Sequence, residues 1–169
     1  MNKNWHGLLK IEQIEQIRNG EVIWKEENIK NLFHTQGEMF ILSCCFSVGG
    51  GISVPANYYF GLDNRTTIAA GDTMALVVDE EPTGSGYARQ SVSSAGDFAI
   101  DLVGSNYRAI SRIVSFTATG AYGPVRNLFL TTAPDATGYL ISSATLSSPL
   151  TFASGDIVNL RMSLQLQDC

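Results

Sequence analysis

Charge is scarce in this chain. Only 16% of its 169 residues are Asp, Glu, Lys or Arg, where about 25% is usual for a soluble domain. Eleven basic residues are spread along the sequence against sixteen acidic ones, for a net charge of −5. No basic stripe of the kind that binds nucleic acid results, and no nucleic-acid partner is expected. The only two histidines, His6 and His34, stand apart and outside any metal-ligand spacing. Three cysteines, two of them adjacent at Cys44 and Cys45, lack the count and spacing of a disulfide framework. Reduced, partly buried thiols are expected, in keeping with synthesis in a reducing cytoplasm. No apolar run nears the roughly 18 residues of a membrane span, and Met1 to His6 has no apolar signal core. A protein neither exported by a signal peptide nor placed in a membrane is expected.

Catalytic constellations are equally sparse. Cys44-Cys45 has no His or Asn nearby to make it a nucleophile and reads as packing. Gly49-Gly50-Gly51 lacks the Lys-Ser/Thr of a phosphate loop and reads as a flexible joint. Asp79-Glu80-Glu81 could contribute oxygens to a calcium ion, but three acids beside Pro82 read better as a solvated turn. Asp97 and Asp101 fall on one face of a strand and are candidates to pair with Arg108 or Arg112. No acid/base pair or nucleophile emerges, so neither an enzyme nor a cofactor is expected.

What the chain does have is alternation. From Ile157 to Gln167, Val158, Leu160, Met162, Leu164 and Leu166 alternate with Asn159, Arg161, Ser163, Gln165 and Gln167. That is a strand with one face on a core and the other, including Ser163, in water. Asn19-Gly20, between Gln16-Ile17-Arg18 and Glu21-Val22-Ile23-Trp24, is a hairpin turn that sets Arg18 opposite Glu21 and Ile17 opposite Val22. Ile11, Ile14 and Ile17 confuse the first strand, because a spacing of three also suits a helix.

Thr35 and Glu38 form a capping box ahead of Met39-Phe40-Ile41-Leu42, which predicts a helix near 35–47. Leu42, Cys45 and Phe46 share one face of it, with Met39 a turn before. From Pro55 onward, strands are predicted at 57–62, 86–93, 98–103, 107–119, 125–132, 139–146 and 157–167. The one further helical stretch is at 72–77. An all-β antiparallel sandwich with an N-terminal hairpin and one short helix follows. Residues 1–54 are expected as a docking and oligomerisation unit, and 55–169 as the sandwich domain.

Two stretches carry more than composition. Asn57-Tyr58-Tyr59-Phe60-Gly61-Leu62-Asp63-Asn64-Arg65 runs from a strand into a charged turn. Glu81-Pro82-Thr83-Gly84-Ser85-Gly86-Tyr87-Ala88-Arg89 is a Gly-punctuated loop that opens another strand. Together they resemble a family of tailed-bacteriophage virion proteins, labelled tail-fibre or capsid-associated (decoration). In that family a "Y-x-GL" strand precedes an "EP-x-G-x-GYAR" loop. The "GD" turn at Gly155-Asp156 before the last strand is similar too, and the resemblance spans about residues 57 to 167. It implies a sandwich of jelly-roll type and a place in the virus particle, and it brings no catalytic residue.

The expected function is a non-enzymatic structural component of a phage particle. Made in the host cytoplasm and carried in the virion, it self-associates as a homo-oligomer and docks on other virion proteins of the head, neck or tail. Trp24, Phe33, Phe40 and Phe46 are the candidate interface residues. The alternative is a receptor- or glycan-binding module at a fibre tip, with Tyr58, Tyr122 and Tyr139 stacking on a host-surface glycan.

Overall fold

Two antiparallel sheets face each other across one apolar core. The computed structural model describes residues 5–46 and 51–168, with side chains over 10–46 and 51–165. His6's side chain, Gly49, Gly50 and Cys169 lie outside what is described, and so does most of the expected glycine joint. Strands β1 (Trp5–Arg18) and β2 (Glu21–Lys30) form the N-terminal hairpin, β3 (Leu32–Phe33) follows, and α1 spans Thr35–Phe46. Next come β4 (Asn57–Asp63), the short helix α2 (Met74–Val77), β5 (Gln90–Ser93), β6 (Phe98–Val103) and β7 (Asn106–Ser111). The chain closes with β8 (Val114–Thr117), β9 (Tyr122–Thr131), β10 (Leu140–Phe152) and β11 (Ile157–Asp168). One sheet runs β2-β1-β11-β7-β6, with β8 also on β11, and the other runs β3-β10-β9-β4-β5. No described helix is long and apolar enough to cross a membrane.

The hairpin forms as its sequence dictates. Asn19 and Gly20 take φ of 53° and 82°, the left-handed pair of a two-residue hairpin turn. Arg18 then sits opposite Glu21 and Ile17 opposite Val22. The three-residue isoleucine spacing has a cause in the same strand. Ile11 pairs with Met162 and Gln13 with Arg161, so Glu12 is an extra residue, a β-bulge. The bulge shifts the alternation by one, and Ile11 and Ile14 both reach the core, 2% and 0% exposed.

The expected division at residue 54 does not hold. β1 pairs along nearly its whole length with β11, and β3 pairs with β10. Residues before 54 therefore supply two strands of one sheet and an edge of the other. The physical reason lies in β11: a strand buried on one face and central in its sheet needs hydrogen-bonding neighbours on both sides, and β1 is one of them. Nor does Ser163 face water. It is 2% exposed, its hydroxyl hydrogen-bonded to Glu12 at the bulge.

Between the sheets, Ile14, Val158, Leu160 and Phe116 meet Phe60, Leu62, Leu128 and Phe152. The second sheet is buried on its outer face as well, where Met74 and Val77 of α2 cover Phe129 and Leu140. The long connection 64–89 thus makes a third layer over β4, β9 and β10. Gly61 permits this, because a Cβ there would overlap the Phe129 ring.

Candidate functional site

The loop that opens β5 is organised by Glu81. Its carboxylate receives Arg89 Nε at 3.0 and 3.1 Å and Arg89 Nη2, and the Tyr87 hydroxyl at 2.6 Å. The Tyr87 oxygen also accepts the Leu62 N–H at 3.0 Å. Arg89 Nη1 donates to the Ala133 and Asp135 carbonyls, and its guanidinium lies 5.2 Å from the centre of the Phe129 ring. Burial first, then the charge of Glu81, pushes the Tyr87 phenol up. Gly84, Ser85 and Gly86 all have positive φ, 70°, 50° and 80°, the turn that returns the chain so that Tyr87 and Arg89 meet Glu81. The loop motif is therefore a buried clamp between the 64–89 layer and the sheet beneath. Of the acidic triplet, Glu81 is engaged inward, while Asp79 and Glu80 are exposed.

Other polar side chains are tied up in the same manner. Arg65 bridges Asp63 and Asp72, both at 2.8 Å. Asp156 accepts from Gln16 Nε2 at 2.8 Å, Arg18 Nε at 2.8 Å and Arg18 Nη2 at 2.7 Å. The Arg18 bonds outweigh burial and hold the Asp156 carboxyl down to about 2. Arg108 takes Asp101 at 2.8 Å and Glu12 at 3.1 Å, and Arg112 takes Asp97 at 3.0 Å. His34 is fully buried and shares a 2.7 Å hydrogen bond with Ser143 Oγ, and burial lowers its basicity. Among the described residues, no three His, Cys, Asp or Glu side chains could hold a metal ion.

The four expected interface aromatics do not share one surface. Phe40 is core, 3% exposed. Trp24 and Phe33 are half-buried against the core, with Trp24 Nε1 donating to Ser148 Oγ at 3.1 Å. Phe46 alone is outside, 71% exposed. The glycan candidates are likewise engaged in packing. Tyr58 stands edge-on to Phe40 and Phe98, at 6.2 and 6.1 Å, and Tyr139 lies 5.7 Å from Phe40. Tyr122 stacks on Phe152 at 4.2 Å, its phenol pushed up by burial to about 12. Each of the three rings thus packs against at least one other aromatic ring of the protein.

Part of the exposed surface is apolar. Helix α1 presses Gly37, Phe40 and Ser43 inward and leaves Met39, Leu42, Cys45 and Phe46 on its outer face. A Cβ on Gly37 would overlap the Ile141 carbonyl, so the helix rests directly on β10. Beside it the sheets diverge into an open cleft of about 350 Å³, walled by Ile41, Val54, Tyr58, Ile100, Ala109 and Leu164 among others. Ile100, Leu102 and Tyr107 extend that apolar surface, 70%, 57% and 68% exposed. Reading the chain for aromatics missed the aliphatic Ile100 and Leu102 and passed over Tyr107. The available signal was Phe98 to Val103, a strand apolar on both faces with a single charge. No protein-family model, curated protein or solved structure matches this chain.

Proposed function

We propose that this protein is a non-enzymatic structural component of a tailed-phage particle, which associates with its own copies and docks on other head or tail proteins. One observation carries the reading: Met39, Leu42 and Phe46 on the outer face of α1 are exposed, and the cleft beside the helix is walled by apolar side chains. Patches of that kind mark contact sites. The inward-facing Glu81, Tyr87 and Arg89 accord with it, because the residues that carry the family resemblance serve packing. The protein would be made in the host cytoplasm and end in the virion. Phe46→Glu with Leu42→Glu tests the docking face. Both positions are exposed, so the variant should fold normally and fail to enter particles when it is the only copy supplied. Normal incorporation of the variant overturns docking through α1.

A further inference from the structure

Strand edges invite pairing with other chains, and proteins guard them by shortness, charge or bulges. Among the described residues five strands end the two sheets: β2, β6 and, beside β7 on β11, β8 in one, and β3 and β5 in the other. β3 has two residues, and β5 and β8 have four each. β2 carries Glu21, Lys25, Glu26, Glu27 and Lys30 within its ten residues. β6 has six residues, a regular register with β7, and one charge. That charge, Asp101, is already held bidentately by Arg108 at 2.8 and 2.9 Å. β6 is the unguarded edge.

Its free hydrogen-bonding groups can be assigned. The Arg112 N–H donates to the Asp97 carbonyl at 2.7 Å, and Val103 faces Asn106 across a two-residue turn. Alternate residues of a strand direct their backbone groups to the same neighbour. Asp97, Ala99, Asp101 and Val103 therefore address β7, and Phe98, Ile100 and Leu102 address the open edge.

We infer that β6 is the seam of a two-fold homodimer, in which β6 of one copy pairs antiparallel with β6 of the other, centred on Ile100. The inference rests on the self-association proposed above and supplies its surface. A second copy fits because the strand is complementary to itself. A two-fold axis perpendicular to the sheet keeps the apolar face of both copies on one side. Centred on Ile100, it sets Ile100 opposite Ile100 and Phe98 opposite Leu102, all through outward backbone groups. Centring on Asp101 would oppose two Asp101 carboxylates, and centring on Ala99 would oppose Asp97 to Asp101. Like charges directly opposite destabilise a pair, so the Ile100 register is favoured. Area agrees as well. Ile100, Leu102, Tyr107 and Val54 expose on the order of 500 Å², and with the strand's own edge this approaches the roughly 600 Å² per partner at which specific interfaces begin.

Sedimentation and cysteine cross-linking of the full chain test the seam. The wild type should sediment as a dimer, and Ile100→Lys, at an exposed position, as a folded monomer. In a background with Cys44, Cys45 and Cys169 changed to Ser, Ile100→Cys should oxidise to a covalent dimer. Its paired Cα atoms would lie about 5.5 Å apart, within disulfide reach. Leu102→Cys should not, being roughly 13 Å from its own copy. Equal cross-linking of the two cysteine variants, or an Ile100→Lys protein that stays dimeric, overturns this seam and leaves self-association standing. A wild type that is monomeric at every concentration overturns both.

Discussion

Arg89 and Glu81 form an ion pair almost wholly inside the protein, with side chains 5% and 9% exposed. Because Tyr87 and the Phe129 ring complete the enclosure, neither charge can turn to water if its partner is lost. Arg89→Met should therefore cost about 3 kcal/mol or more, the range for breaking a buried pair. Removing both charges, in Glu81→Met with Arg89→Met, should cost less than the two single losses added together. Chemical denaturation of the three variants checks this. Additive losses would mean that the pair is not coupled.

Asp156 ties the first hairpin to the β10–β11 turn, and its contribution depends on pH. Its carboxyl is held at about 2 in the folded protein against 3.8 ordinarily. A depressed folded value means that the unfolded chain takes up the proton first. The stabilisation is thus complete above about pH 4 and lost as pH falls towards 2. Urea denaturation between pH 2 and 5 should show that slope, and Asp156→Asn should reduce it while weakening the protein by about 2 kcal/mol at pH 7. His34 acts in a higher window. Burial holds it neutral, so stability should also fall as pH drops below about 6.5.

Gly37 sets the height of α1 over β10. In an open helix, Gly→Ala gains about 1 kcal/mol from propensity alone. Here the added methyl meets the Ile141 backbone, which cannot rotate away. Overpacking costs about 1–3 kcal/mol, so Gly37→Ala should be destabilising overall. A raised melting temperature for that variant would show that the helix can lift without loss.

Ser163→Asp separates the alternation pattern from the actual environment. On a solvated face it would be harmless. Beside Glu12, whose carboxylate already accepts the Ser163 hydroxyl, it opposes two acids in a buried position and should cost several kcal/mol. Asn159→Asp, at a half-buried position on the same face, should be milder by denaturation.

Where one sheet face meets the core and the other meets solvent, the fold could be read from the residues. The Asn19-Gly20 turn and β11 away from Ser163 are of that kind. Reading failed where a third layer covers the outer face. Asp63, Asn127 and Thr131 look solvent-facing along their strands, yet each is fully buried. The 64–89 segment that covers them has no periodicity of its own. The Glu12 bulge was illegible for another reason. A single inserted residue turns period two into period three, and only the partner strand discloses it. The exposed apolar edge was hidden by chemistry: aromatics were weighed as contact residues, while Ile100 and Leu102 were read only as part of a strand at 98–103. The motif residues Glu81, Tyr87 and Arg89 were visible, but not that they close on one another.

The proposal that the chain is a built part of a phage particle can be checked on particles themselves. Quantitative mass spectrometry of gradient-purified particles, from infected cells that make the protein, tests this most directly. A structural component should remain after high-salt washing, at a fixed copy number per particle consistent with symmetric placement. Its absence from washed particles, with the protein abundant in the infected-cell lysate, would contradict the account.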